Sequence, residues 1–258
     1  MTFAVAWLGP VSAAQVAGAT VPGASTTYVT CTGDGSPDCS QIGASIGAKA
    51  GGSIVRGLLA QAGVPDGELI IGSFSAGHEI AKPALMSAAD RALVRAVLLA
   101  DSTYTTWADS SRTRPTPPEG YVRFALDALR GNKLFVATAS HNPAGAYPSG
   151  YATLHAVKDE VESRSGVQFR RVSTLPGVSV QPEDVWQAGN VWLAVFGPSV
   201  SHGQHATQIA PMVWQGLLVP WLSGGGSGGA LARLLTLLVS GAAGWAATTA
   251  ALRRLRRA

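Results

Sequence analysis

Charged residues are scarce in this sequence. Asp, Glu, Lys and Arg make up 13% of the 258 residues, whereas apolar residues make up 47%; an average soluble domain has roughly 25% charged residues. This balance excludes an intrinsically disordered chain, which needs low hydrophobicity and high charge. The formal net charge is +4, but four of the 19 basic residues are Arg253, Arg254, Arg256 and Arg257. Without those four, no basic stripe remains that could follow a phosphate backbone, so we expect no nucleic-acid partner.

Cysteine is also scarce, because only Cys31 and Cys39 occur. They lie in a loop of Gly, Ser, Asp and Pro, either as two free thiols or as a short-loop disulfide, and a disulfide implies an oxidising compartment. Neither these thiols nor the pair His202 and His205 has a third metal ligand nearby in the sequence. Rossmann and phosphate-loop glycine patterns are absent as well. We therefore expect neither a metal nor a cofactor.

The C-terminal end has the composition of a linker followed by a membrane span. Residues 223–229 read SGGGSGG, which is typical of a flexible linker. No charged residue occurs from Leu234 to Leu252, and a helix of that length rises about 28 Å, close to the thickness of the bilayer hydrocarbon. We predict a domain at 1–222, a linker at 223–229 and a hydrophobic helix at 230–258. The alternative is an amphipathic or oligomerising helix that packs against protein.

The arginines around the apolar run bear on its orientation. Four follow the run and one, Arg233, precedes it, so the positive-inside rule places the C-terminus in the cytoplasm and the domain outside. That placement requires export, yet the N-terminus lacks a basic region and reads better as a buried strand at Thr2–Leu8 than as a signal peptide. The alternative is a tail anchor with the domain in the cytoplasm.

Between these ends, short apolar strands alternate with helical patterns. This alternation predicts an α/β fold with a mostly parallel sheet and helices on both faces. The predicted strands are Thr2–Leu8, Thr27–Thr32, Glu68–Ser73, Val94–Ala100, Lys133–Ala139 and Val191–Phe196. The predicted helices are Gly52–Ala62, Glu79–Met86, Tyr121–Arg130, Ala152–Ser163 and Ala206–Leu222.

The strongest local signal for chemistry lies at residues 73–77, which read SFSAG between a predicted strand and a predicted helix. This order is typical of the nucleophile elbow, G-x-S-x-G, in which a serine occupies a tight strand-to-helix turn. The turn needs small residues two before and two after the nucleophile, and Ser73 and Gly77 meet that need. Ser75 is therefore the candidate nucleophile. The amide of Ala76, at the helix N-terminus, would face a developing oxyanion.

A nucleophilic serine needs a base and an acid that orients the base. Asp101 directly follows a predicted strand and is the best-placed acid, with Asp109 on the same loop as a weaker substitute. Glu183 and Asp184 precede the last predicted strand, so we expect them at the wrong end of it.

The base should follow the last predicted strand, where residues 201–205 read SHGQH. His202 is nearer to the strand end and is the predicted base, and His205 is the alternative.

The chain order Ser75, Asp101, His202 resembles that of the α/β-hydrolase superfamily. The resemblance covers residues 2–222 and rests on the segments SFSAG, LLADSTY, ATASHNP and SHGQHATQIAPMVWQGLLVPWL. It implies that these three residues are the nucleophile, the acid and the base of a catalytic triad.

The resemblance also implies an oxyanion hole, formed by Ala76 and by a backbone amide near Leu8 or Gly9. Two features depart from the family pattern: Ser73 replaces the first elbow glycine, and the acid follows the strand directly after the elbow strand, which is a minority placement.

These observations predict a serine hydrolase that cleaves a carboxylic ester, or an amide, through an acyl-enzyme. The expected substrate is a small-molecule or lipid-like ester, and the C-terminal helix is expected to contact the membrane. The alternative is a non-catalytic, membrane-tethered α/β-hydrolase-like domain that binds a ligand in the same cleft. No sequence feature indicates an oligomeric state.

Overall fold

The computed structural model describes residues 2–33, 37–141 and 147–224 of the chain. Eight strands form one sheet in the order β2-β1-β3-β4-β5-β8-β7-β6. The strands are β1 (Phe3–Gly9), β2 (Ser25–Thr30), β3 (Glu68–Phe74), β4 (Val94–Ala100), β5 (Leu134–Ser140), β6 (Arg170–Val172), β7 (Asp184–Ala188) and β8 (Val191–Phe196). The predicted α/β class with a mostly parallel sheet is confirmed.

Helices connect the strands and cover the sheet. They are α1 (Cys39–Lys49), α2 (Ile54–Gln61), α3 (His78–Ala84), α4 (Ala88–Leu93), α5 (Glu119–Leu129) and α6 (Gly150–Ser165). The short segments α7 (His202–Gln204), α8 (Ala210–Val213) and α9 (Val219–Ser223) follow one another, joined by π-helical turns at His205–Ile209 and Trp214–Leu218. We call this continuous stretch, residues 202–223, the C-terminal helix.

Parallel pairing brings the ends of the central strands to one edge of the sheet. β1, β3, β4, β5 and β8 are adjacent in this order and pair in parallel with one another, so their carboxyl ends lie together. The central strands are rich in apolar residues and are largely buried; in β5, for example, all seven residues are buried. Such strands are typical of a parallel sheet that is covered on both faces. The residues that follow β3, β4 and β8 are therefore neighbours in space.

Two hydrophobic cores lie on the two faces of the sheet. On one face, α1, α2, α3, α5 and α6 bury apolar side chains such as Leu58 and Phe124. On the other face, the C-terminal helix packs against the sheet with Ile209, Val213 and Trp214. The rings of Trp7 and Trp214 lie 5.2 Å apart between their centroids. The C-terminal helix, which begins at His202, is thus held in place by the hydrophobic core on this face of the sheet.

One expectation about the sheet is wrong. β7 runs antiparallel to β8, and Asp184 pairs with Val195 near the carboxyl end of β8. Glu183 and Asp184 therefore lie at the same edge as the other strand ends, and not at the opposite edge. The cause is a hairpin between β7 and β8, which reverses the chain just before the last parallel strand.

The predicted linker and hydrophobic helix lie almost wholly outside the described residues. The last described helix ends at Ser223, next to the predicted domain end at 222. Within residues 2–33, 37–141 and 147–224, no helix is both long and apolar enough to cross a membrane.

Candidate active site

Ser75 occupies a strained turn between β3 and α3. β3 ends at Phe74, a single 3-10 turn spans Ser75–Gly77, and α3 begins at His78. Ser75 has a φ of 51°, in the left-handed region that side chains other than glycine rarely adopt. Backbone strain of this kind costs on the order of 1–3 kcal/mol and is found most often at functional sites. The strand–turn–helix geometry predicted for residues 73–77 is present.

The close approach of β1 explains why glycine is needed at two positions. A Cβ atom on Gly77 would lie under 3.0 Å from the Leu8 carbonyl oxygen, and one on Gly9 would lie under 3.0 Å from the Phe74 carbonyl oxygen. Leu8 lies opposite Ser73 in the parallel register, and Gly9 is the last residue of β1. The residues predicted for the oxyanion hole therefore surround the turn that carries Ser75.

Asp101 and His202 form a direct contact at the same edge of the sheet. The Nδ1 atom of His202 lies 2.7 Å from the Oδ2 atom of Asp101, although 101 positions separate them in the sequence. Asp101 follows β4 with a φ of 45° and is buried, whereas the side chain of His202 is 36% exposed. The structure thus brings the predicted acid and the predicted base together, with the base open to solvent.

Ser140 also holds the Asp101 carboxylate. Its backbone amide donates to Oδ1 at 3.0 Å, and its hydroxyl donates to Oδ2 at 2.6 Å. Burial raises the pKa of Asp101, but that pKa still lies below its ordinary value, and the hydrogen bond from His202 is the largest of the causes that lower it. The carboxylate is therefore ionised at neutral pH and can orient an imidazole. Ser140 is the last residue of β5, and no sequence pattern predicted its contact with Asp101.

His202 lies beside the elbow. Its ring stacks on Phe74, the residue before Ser75, with ring centroids 4.6 Å apart. The Tyr104 hydroxyl lies 3.4 Å from the His202 Nδ1 atom. Among the described residues, no hydrogen bond links the Ser75 hydroxyl to His202. Such contacts are often long in ligand-free enzymes and tighten when substrate binds.

The alternative base and the alternative acid are placed differently. His205 is fully buried; its Nδ1 atom lies 2.9 Å from the Thr138 hydroxyl, and its Nε2 atom has no hydrogen-bond partner among the described residues. Burial lowers the pKa of His205 to about 4. Asp109 uses its carboxylate to hold its own exposed turn, through Ser111 and Thr113. The structure brings neither of them into contact with the other predicted triad residues.

Buried hydroxyls link the elbow to the loop that carries the acid. The Ser73 and Ser102 hydroxyls lie 2.7 Å apart, and the Ser102 hydroxyl donates to the Ser75 carbonyl oxygen at 2.9 Å. Because Ser102 has one hydroxyl hydrogen, Ser73 must donate to Ser102. Tyr121 in turn donates to the Ser102 carbonyl oxygen at 3.1 Å. Ser73 thus takes part in holding Ser75 through Ser102, a role that no sequence pattern predicted.

A cavity of about 460 Å³ opens at Ser75. The described residues that line it are Gly33, Asp38, Ser40, Ser75, Ala76, His78, Glu79, Tyr104 and Tyr147. The Nδ1 atom of His78 lies 2.9 Å from the Ser75 carbonyl oxygen, and its Nε2 atom lies 2.5 Å from Glu79 Oε1. Both of these partners are hydrogen-bond acceptors. The hydrogen bond with His78 lowers the pKa of Glu79 to about 2.

Three residues close to a disulfide, Gly33, Asp38 and Ser40, line one side of this cavity. Cys31 and Cys39 are disulfide-bonded, which decides between the two alternatives that the sequence left open. Asp38 caps the N-terminus of α1 by accepting from the Gln41 amide, one residue before the bonded Cys39. The disulfide thus anchors the start of α1 beside the cavity.

The other histidines and the described acids do not assemble into a metal site. His141 Nε2 pairs with Glu183 Oε2 at 2.6 Å, and the His155 ring packs between Tyr151 and Trp186. Among the described residues, no group of three or more His, Cys, Asp and Glu side chains could hold a metal ion.

Comparison of the sequence with models of protein families and with curated proteins gives no match. The assignment of a function therefore rests on the geometry of the site and on the chemistry of its residues.

Proposed function

We propose that this protein is a serine hydrolase that cleaves a carboxylic ester with Ser75, His202 and Asp101. The observation that carries the proposal is the 2.7 Å contact between His202 and a buried carboxylate, next to a serine with a φ of 51°. A nucleophilic serine needs a base that is itself oriented by an acid, and here the serine, the imidazole and the carboxylate lie at the same sheet edge.

In the proposed reaction, the Ser75 oxygen attacks the ester carbonyl carbon while His202 Nε2 takes the hydroxyl proton. Asp101 holds the Nδ1 hydrogen of His202 and stabilises the imidazolium that forms. The tetrahedral intermediate breaks its bond to the alcohol, which leaves with the proton from His202. Water then attacks the acyl-enzyme with His202 as the base again, and the acid product is released.

The negative charge of the intermediate requires hydrogen-bond donors near Ser75. We propose the backbone amide of Ala76, which follows the nucleophile at the start of the turn, and an amide at the end of β1. Gly9 is better placed than Leu8, because it is the last residue of the strand, whereas Leu8 has register partners on both sides. Each such donor contributes about 3–4 kcal/mol to catalysis in related chemistry.

A non-catalytic binding domain is the second candidate. The observation that favours it is the absence, among the described residues, of a hydrogen bond between the Ser75 hydroxyl and His202. In that case the cavity at Ser75 would bind a ligand without cleaving it.

Labelling by a fluorophosphonate probe separates the two candidates, because the probe reacts with an activated serine. We expect labelling of the native chain and none of the Ser75→Ala variant, and a loss of several orders of magnitude in the rate for His202→Ala. Ser163→Ala, at an exposed position of α6, is the matched control and should label as the native chain does. A folded native chain that does not react would contradict the proposal and favour the binding domain.

We further propose that the apolar run from Leu234 to Leu252 anchors this domain to a membrane, with the domain on the outer side. The arginines after the run support that orientation. The Cys31–Cys39 disulfide supports it as well, since disulfides persist in oxidising compartments. The alternative is a tail anchor with the domain in the cytoplasm.

A further inference from the structure

The described side chains that line the cavity at Ser75 are almost all polar or aromatic. Among the nine described residues that line it, Ala76 alone has an aliphatic side chain, whereas the others carry hydroxyl, carboxylate, imidazole or phenol groups or are glycines. Pockets for small molecules are usually lined mainly by apolar side chains, with a few polar groups. This lining therefore restricts the chemistry of whatever binds beside the nucleophile.

We propose that this cavity binds an uncharged, polyhydroxylated group, that of a sugar or a polyol, so that the substrate is an ester of such a compound. The inference rests on the proposed serine hydrolase and specifies its substrate class. The volume of about 460 Å³ lies in the lower part of the range for small-molecule sites, roughly 300–1,000 Å³.

A long acyl chain is a poor match for the two carboxylates that line the cavity, those of Asp38 and Glu79. Asp38 and Glu79 are ionised at neutral pH, because hydrogen bonds from Ser40 and from His78 lower the pKa of their carboxyls. A methylene chain in the cavity would displace the water that hydrogen-bonds to these carboxylates, and it could not form those hydrogen bonds itself. This loss of hydrogen bonds costs free energy. Hydroxyl groups, in contrast, donate to carboxylates directly.

A charged group is disfavoured for either sign. An anionic group would meet the two carboxylates of Asp38 and Glu79. A cationic group would compete with existing partners, because Glu79 Oε1 already contacts His78 Nε2 at 2.5 Å and Lys82 Nζ at 3.3 Å. The Asp38 carboxylate already accepts from the Ser40 hydroxyl and the Gln41 amide. Neutral hydroxyls match such a wall without disturbing its charge balance.

Two tyrosines complete the match. Tyr104 and Tyr147 line the same cavity. Tyr147 is 55% exposed. A tyrosine offers an apolar ring face together with a hydroxyl that donates and accepts. A sugar ring has the same combination, with C–H groups on its faces and hydroxyls at its rim.

The test compares two acetate esters that share a six-membered ring beside the ester and differ in polarity, methyl 6-O-acetyl-glucoside and cyclohexylmethyl acetate. We expect kcat/KM for the sugar ester to exceed that for the cyclohexyl ester at least tenfold, and acetylcholine to be as poor as the cyclohexyl ester. An equal or higher kcat/KM for cyclohexylmethyl acetate or acetylcholine would overturn the inference. p-Nitrophenyl acetate, whose activated leaving group needs little recognition, reports on the Ser75 chemistry separately.

A variant pair localises the preference. Ser40 is an exposed residue of the cavity wall, so Ser40→Leu adds apolar surface there without disturbing a core. We expect it to lower the ratio of sugar-ester to cyclohexyl-ester kcat/KM at least tenfold. Ser163→Leu, the same change at an exposed position of α6, should leave that ratio unchanged. An unchanged ratio in Ser40→Leu would count against this cavity as the recognition site.

Binding separates this inference from the proposed function. Calorimetry on the Ser75→Ala variant measures the affinity of the intact methyl 6-O-acetyl-glucoside and cyclohexylmethyl acetate without any turnover. We expect a detectable dissociation constant for the sugar ester only. If no ester is cleaved by the native chain, the proposed hydrolase is wrong, yet selective binding of the sugar ester still supports the cavity assignment. Binding of the cyclohexyl ester alone, or of neither ester, overturns the assignment of the cavity to a polyhydroxylated group.

Discussion

At the scale of single residues, the site is built from strained positions that are held by buried hydrogen bonds. Ser75 and Asp101 both have positive φ values, 51° and 45°, although neither is glycine. The Ser75 carbonyl oxygen accepts from Ser102 and lies within hydrogen-bond distance of His78, while the Asp101 carboxylate accepts from Ser140. These contacts offset the cost of the strained backbone and fix the two side chains at one edge of the sheet.

Ser102→Ala should slow the reaction without weakening substrate binding. The change removes the donor to the Ser75 carbonyl oxygen and leaves the buried Ser73 hydroxyl without its acceptor. A buried hydrogen bond of this kind contributes on the order of 1–2 kcal/mol, so we expect kcat to fall roughly tenfold while KM stays within about twofold. Steady-state kinetics with p-nitrophenyl acetate measures both constants.

Ser73→Gly is the informative companion, because it places glycine at the first position of the G-x-S-x-G pattern while Ser102 can still donate to Ser75. We expect Ser73→Gly to lower kcat by a smaller factor than Ser102→Ala does. A larger loss from Ser73→Gly, or a loss from Ser102→Ala that is confined to KM, would contradict the role of Ser102 as a positioning residue.

At the scale of elements, local sequence patterns were enough for most of the sheet. β4 and β8 have the predicted bounds, β3 is one residue longer at its end, and β1 and β5 are each shifted by one residue. These strands are short apolar runs between turn residues, a pattern that depends only on neighbours in the sequence. The positions of Ser75, Asp101 and His202 follow from such strand ends, so the sequence could predict them too.

The elements that were missed depend on distant partners. α1 contains two glycines and has a weak apolar period, but Asp38 caps its start and the disulfide of Cys39 anchors it. β7 pairs antiparallel with β8, and no local pattern of residues 184–188 shows that direction. Ser102, Ser140 and His78 were missed for the same reason, since their partners are set by the fold.

The C-terminal helix is an integral part of the domain, which predicts where the chain can be cut. It begins with His202 and buries several large side chains, including the fully buried Trp214. Each buried side chain of this kind contributes about 1.5–3 kcal/mol, and a domain has only about 5–15 kcal/mol in all. We expect a chain that ends at Gly224 to fold and to keep ester hydrolysis within about twofold. A chain that ends at Ser201 should not fold.

Circular dichroism and hydrolysis of p-nitrophenyl acetate measure both outcomes. Fractionation of cells adds a test of the proposed anchor: the full chain should sediment with membranes and the chain ending at Gly224 should not. Equal sedimentation of the two chains would contradict an anchor in residues 225–258.

At the scale of the whole molecule, the buried histidine makes stability depend on pH. His205 is neutral in the folded state, because burial lowers its pKa to about 4 from the ordinary value of 6.5. Between these values the unfolded chain binds a proton that the folded chain does not bind. The free energy of unfolding therefore falls as the pH drops from 6.5 to 4, and the contribution of His205 to this fall is roughly 3 kcal/mol.

The variant His205→Asn should remove this part of the pH dependence. Urea unfolding at pH 7 and pH 4 measures it: between these two pH values, we expect the native chain to lose roughly 3 kcal/mol more of its free energy of unfolding than the variant loses. His141→Asn, which replaces a histidine whose side chain is 39% exposed, is the matched control and should behave much more like the native chain. Equal losses in the native chain and in His205→Asn would mean that His205 takes up its proton without unfolding the domain, through an opening of the C-terminal helix near Thr138.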